Sequence, residues 1–91
     1  MEFKDLCTVI KDCKKQGTKL QIKNLSTMET HPVINYEIVD PTFKSGVILS
    51  FEIEPSFSQM ICEKEANAIN KIDENIYEIK TPYGHYDIII N

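Results

Sequence analysis

The sequence predicts a two-layer α+β domain in the order αβββαββ, with two helices packed on one face of a largely antiparallel five-stranded sheet. Three observations carry that reading. Apolar residues recur at helical spacing over residues 2–16, they alternate with polar ones over five later segments, and glycine or proline marks the breaks between segments. A different pattern competes at residues 56–72, where a strand reading would leave a mostly β chain with a single N-terminal helix.

In residues 2–16, Phe3, Leu6, Cys7, Ile10 and Cys13 fall on one helical face. Lys14 and Lys15 sit in the last turn, where the helix dipole favours cations, and Gly17 is placed to cap it. Alternation begins at Thr18–Asn24, where Leu20 and Ile22 point one way and Lys19, Gln21 and Lys23 the other. Leu25–Pro32 is polar and reads as a loop. Val33–Asp40 and Val47–Glu54 read as strands of a hairpin, joined by the turn-rich Asp40-Pro41-Thr42-Phe43-Lys44-Ser45-Gly46.

Residues 56–72 are read as the second helix. Phe57, Met60, Ile61, Ala68 and Ile72 fit a helical face, and Glu, Lys and Ala favour helix. Met60, Cys62, Ala66 and Ala68 also alternate, which is the strand alternative. Ile76–Thr81 and His85–Ile90 form a final hairpin around Pro82-Tyr83-Gly84, with Gly84 expected to supply a left-handed residue. The chain of 91 residues makes one compact domain, 1–91, with 42% apolar content to build one core.

This reading sets Ile34, Tyr36, Ile38, Leu49, Phe51, Ile53, Tyr77, Ile79, Tyr86, Ile88 and Ile90 against the helices. The opposite face receives charged and polar residues, including Glu37, Glu52, Glu54, Glu78, Lys80, His85 and Asp87, as antiparallel sheets often arrange. It also receives Val33, Val39, Ile48, Ile76 and Ile89. Of these, Val39, Ile48, Ile76 and Ile89 mark an expected self-association surface, and the Ile88-Ile89-Ile90 run invites edge pairing.

Composition narrows the function. All ten basic residues are lysine, against fourteen carboxylates, for a net charge of −4. Arginine's planar fork is the preferred group for bidentate contacts to phosphate and guanine. An acidic chain without it is a poor candidate for nucleic-acid binding or phosphoryl transfer. No stretch approaches the roughly 18 apolar residues of a membrane helix, so no membrane partner is expected. Met1-Glu2-Phe3-Lys4-Asp5 does not resemble a secretory leader. Cys7, Cys13 and Cys62 form an odd set without framework spacing, which favours reduced thiols and a cytoplasmic location.

Catalytic and cofactor motifs are weak. Glu78-Ile79-Lys80 has the E-x-K spacing of metal-dependent nucleases, but it is also the ordinary pattern of a solvated strand. His31 and His85 are the two histidines, and no spacing in the chain suits a metal site. Gly17, Gly46 and Gly84 sit at caps and turns, so no phosphate loop and no cofactor is expected.

The leading expectation is a small acidic cytoplasmic protein-binding module without enzymatic activity. It would act by occluding a partner's surface, similar in size and acidity to phage inhibitors of host defence or to immunity proteins. Phe43 and Lys44 in the central connector, Tyr83, His85 and Tyr86 at the final hairpin, and Glu52 and Glu54 of an acidic sheet face are the candidate partner-binding residues. Aromatic side chains often dominate interface energetics, and an acidic patch steers a molecule toward a basic partner. The alternative is an oligomeric protein, such as a homodimer, that binds or sequesters a small anionic ligand in a lysine-lined pocket.

Overall fold

The computed structural model describes residues 1–42, 46–53 and 57–91. One α-helix, α1 (Phe3–Gln16), precedes seven strands: β1 (Leu20–Asn24), β2 (Glu29–Thr42), β3 (Gly46–Ile53), β4 (Phe57–Cys62), β5 (Ala68–Asp73), β6 (Ile76–Thr81) and β7 (Gly84–Ile90). All pairings are antiparallel, in the order β4-β3-β2-β1-β7-β6-β5. The sheet curls into a half-barrel, and α1 packs its apolar stripe against the concave face.

The expected architecture of two helices on five strands is therefore corrected: the described residues are mostly β, with one α-helix and seven strands. Residues 57–62 and 68–73 are strands. Ile61 pairs with Leu49 of β3 and Met60 with Ser50, and burial follows the two faces of that strand pair: Ile61 is 1% exposed and Met60 61% exposed. Ile69 is buried and Ile72 exposed, although a helix would place residues three apart on the same side. The helix propensity of this segment yields no more than a 3-10 turn at Glu63–Glu65. Tertiary pairing outweighs it, because β4 satisfies the second edge of β3 and β5 the second edge of β6.

Helix α1 forms where its pattern predicts. Asp5 Oδ2 accepts the Glu2 N–H at 2.9 Å and so caps the first turn. Gly17 adopts φ 67° and ends the helix, and Thr18 N–H then donates to Cys13 O at 2.9 Å. Phe3, Leu6, Cys7, Ile10 and Cys13 are all buried. They meet Leu20, Ile22, Leu49, Phe51, Ile53, Ile61, Ile79 and Ile88 in one core.

Strand β2 is long because it serves two partners in turn. Its first part pairs with β1, up to Gln21↔Pro32, and its later part pairs with β3. The loop expected over Leu25–Pro32 shrinks accordingly to a turn at 25–28, in which Met28 takes φ 62°. A bulge lies where the partners change, since Val33 faces Ile53 and Asn35 faces Glu52, leaving Ile34 without an opposite residue. The bulge reverses the expected assignment of two side chains. Val33 packs on the core, and Ile34 is 57% exposed.

The final hairpin corrects the role of Gly84. The left-handed glycines among the described residues are Gly17 and Gly46. Gly84 instead pairs with Thr81 across a two-residue turn, Pro82-Tyr83. It must be glycine because Tyr86 lies over it: a Cβ there would sit 2.5 Å from Tyr86 Cζ.

Candidate functional site

The lysines of α1 are not spread around the helix. At 3.6 residues per turn, Lys4, Lys11, Lys14 and Lys15 occupy one flank of about 100°, beside the buried stripe. Asp5 and Asp12 occupy the other flank. The lysine flank faces β2, and a trough runs between them. Three depressions, of about 320, 350 and 230 Å³, follow one another along it. They share Lys11 and Ile38 at one junction and Lys14 at the next. The trough extends for the length of the helix, about 20 Å.

Its floor is apolar. Cys7, Ile10, Val33, Ile38 and Val39 line it, together with the exposed Ile34. Its rim is basic. Lys4, Lys11, Lys14, Lys15 and Lys19 line it, five of the chain's ten lysines, against Glu37 and Glu63. A chain of net charge −4 thus holds a local excess of positive charge beside an apolar floor.

The middle of the trough is fixed by a side-chain network. Lys14 Nζ donates to the main-chain carbonyl of Tyr36 and to Asn35 Oδ1 at 3.2 Å. Asn35 Oδ1 also accepts the Tyr36 N–H at 2.9 Å. The Tyr36 hydroxyl donates to Thr18 O at 2.7 Å, tying β2 to the end of the helix, and Lys14 lies 5.5 Å from the centre of the Tyr36 ring. Burial, and then the Cys13 thiol, pushes the Tyr36 hydroxyl above its ordinary value, so it stays a neutral donor. Burial likewise raises the Cys7 thiol, ahead of Glu63, which makes it an inert part of the floor.

A second, smaller cleft of about 130 Å³ opens on the concave face away from α1. Ile22 and Ile53 form its floor, with Asn24, Thr27, Glu29, His31, Gln59 and Tyr86 around it. His31 Nε2 lies 3.2 Å from Glu29 Oε2.

The convex face carries a polar row across five strands: Asn70, Glu78, Asp87, Lys23 and Thr30 are successive cross-strand partners. His85 Nε2 lies 2.9 Å from Glu78 Oε2, close enough for an ion pair when the imidazole is protonated. The His85 contact, and then the Asn70 amide, holds the Glu78 carboxyl below the usual range. Burial, and then Glu78, pushes the Asp87 carboxyl up. Among the described residues, no group of three or more His, Cys, Asp or Glu is placed to hold a metal ion.

The residues singled out from sequence are scattered. Phe43, Lys44 and Glu54 lie outside the described residues. Glu52 is exposed on the convex face of β3, between Asn35 and Ser58. Tyr83 projects from the last hairpin at 81% exposure. His85 is half-buried on the convex face, and Tyr86 is buried on the concave one. Val39 faces Ile48, and Ile76 faces Ile89, so the four apolar residues form two pairs. Ile76 and Ile89 are level with Pro32 of β2, whereas Val39 stands seven residues beyond, roughly 20 Å along the strand.

The trough was not anticipated. The one signal for it in the sequence is the segregation of lysine and aspartate to opposite flanks of α1. That signal acquires meaning once β2 is known to lie beside the lysine flank. No family model, no curated protein and no solved structure matches the chain.

Proposed function

We propose that this chain is a small protein-binding module and that the trough between α1 and β2 is its principal contact surface. One observation carries the reading: half of the lysines of an acidic protein are gathered along one apolar groove. Lysine stems cover apolar surface while their ammonium groups stay in water, so such a groove suits a partner with alternating apolar and acidic groups. The partner surfaces expected from sequence are the Phe43 connector, the Tyr83 hairpin tip and the acidic sheet face. Glu52 and the Glu78–Asp87 row contribute negative charge to the convex side, where they repel acidic competitors and orient the encounter. Three cysteines without disulfides fit a reducing, cytoplasmic setting. Among the described residues, no helix is long and apolar enough to cross a membrane.

A second reading rests on the central depression alone. Its 350 Å³, lined by Lys11, Lys14 and Lys15 above Ile10 and Ile38, lies within the size range of small-molecule sites. A small anionic ligand would fill it.

Thermal shift separates the two readings. The protein-binding reading predicts that acidic peptides raise the melting temperature, that citrate and phosphate do not, and that Lys11→Glu with Lys15→Glu abolishes the response. A response to the small anions alone transfers the site to the second reading. No response to either class overturns both.

A further inference from the structure

The trough has a wall made of main chain. Pairing of β1 with β2 stops at Gln21↔Pro32, and β3 occupies the other edge of β2 from Val33 onward, across the bulge at Ile34. Among the described residues, therefore, no strand lies beyond Pro32 on the edge of β2 that faces α1. The bonds at Tyr36 show which groups point that way. Its carbonyl accepts from Lys14 and its N–H donates to Asn35 Oδ1, so neither is turned toward β3. In an antiparallel strand outward-pointing residues alternate, so the N–H and carbonyl of Ile38 face the trough as well. Ile38 lines two of the three depressions, directly opposite Lys11.

An unpaired edge is a template for another strand. Resting on the protein-binding reading above, we propose that the trough is a strand-docking groove, and that its occupant is an extended acidic segment of a protein partner. The segment pairs its main chain with Tyr36 and Ile38 of β2. Side chains on one of its faces rest on the apolar floor, and its carboxylates meet Lys4, Lys11, Lys15 and Lys19. At about 3.3 Å per residue, the trough holds about six extended residues. Lys14 and Asn35 occupy the outward groups of Tyr36 in the free protein, as a stand-in for the missing strand. They release those groups when the segment docks, and the Lys14 ammonium becomes available to a carboxylate. The charge argument selects the occupant: five lysines against two glutamates repel a basic segment and attract an acidic one.

Amide hydrogen exchange of the intact chain tests this. In the free protein, the Ile38 amide should exchange at least about tenfold faster than those of Glu37 and Val39, which point at β3. The probe is a synthetic peptide of alternating glutamate and valine, at saturating concentration. It should slow Ile38 by about tenfold or more, and alternate N-methylation, which removes its donors, should weaken binding by about tenfold. Protection that appears instead in β4 or β5, the two ends of the sheet, overturns the proposal. So does an N-methylated peptide that binds as well as its parent. If that peptide still loses affinity on Lys11→Glu, strand docking is wrong while the protein-binding reading stands. Peptide-free dimerisation that protects Ile38 overturns the acidic-partner assignment in favour of a second copy.

Discussion

Lys14, in the last turn of α1, is bonded to the main-chain carbonyl of Tyr36 in β2. The same ammonium reaches Asn35 Oδ1, and Tyr36 in turn reaches Thr18. One lysine thus joins the helix to the stretch of β2 that, among the described residues, no strand covers on that side. Lys14→Met keeps most of the side-chain length and removes both bonds. It should lower the unfolding free energy by about 1 kcal/mol in urea. Lys15→Met, on an exposed neighbour, should leave stability within about 0.5 kcal/mol. Equal midpoints for the two variants would show that the Lys14 network adds nothing to stability.

Adjacent residues of β4 have opposite environments. Ile61 is fully buried and Met60 points to solvent. Ile61→Ala should cost about 3 kcal/mol, through lost burial and the cavity left behind. Met60→Ala should cost less than about 0.5 kcal/mol. The helix expected from sequence would have placed both residues on its apolar face, so that both truncations were costly. Chemical denaturation of the two variants decides between these patterns.

How far the sequence could be read follows from what each signal depends on. Helix α1 was legible because cap, dipole, apolar stripe and terminal Gly17 agree within a short stretch of chain. β1, β3, β6 and β7 were legible because alternation is local. Residues 57–73 were not, because their helix propensity is local while the pairing that overrides it comes from β3 and β6. Ile34 was misplaced for a related reason: one unpaired residue inverts the parity of everything before it, and no residue type announces a bulge there. The candidate site was the least legible part. Four helical lysines gain significance from lying beside an uncovered strand edge, and that edge exists because β1 is shorter than β2. Neither length can be fixed without the other.

Two glycines are needed for different reasons, and substitution should separate them. Gly17 has φ 67°, and a Cβ there would meet nothing within 4 Å. Its requirement is backbone conformation alone, so Gly17→Ala should cost about 1 kcal/mol and Gly17→Asn less, because asparagine tolerates the left-handed region. Gly84 has a different requirement: a Cβ would meet Tyr86 Cζ at 2.5 Å and its hydroxyl more closely still. Gly84→Ala should cost about 2 kcal/mol by overpacking, and Gly84→Asn at least as much. Truncating Tyr86 to valine should remove most of the added cost of Gly84→Ala, measured as a double-mutant cycle.

Asp87 gives the chain a pH dependence of unusual sign. Its carboxyl is half-buried, faces Glu78 across β6–β7, and is shifted upward chiefly by burial, against the opposing pull of His85 and Lys23. The native state therefore binds its proton more tightly than the unfolded chain does. Stability from this group falls as pH rises from the unfolded aspartate value of about 3.9 to the raised native one, and the deficit is complete above it. Glu78 has the opposite sign, because its shift is downward: its contribution is present above the usual glutamate range and is lost as pH falls through the lowered value. Asp87→Asn should accordingly raise the melting temperature at pH 7 and have no stabilising effect at pH 3. Melting curves across that range check the sign directly: a variant less stable than the parent at neutral pH would mean that Lys23 and His85 outweigh the burial of the carboxylate.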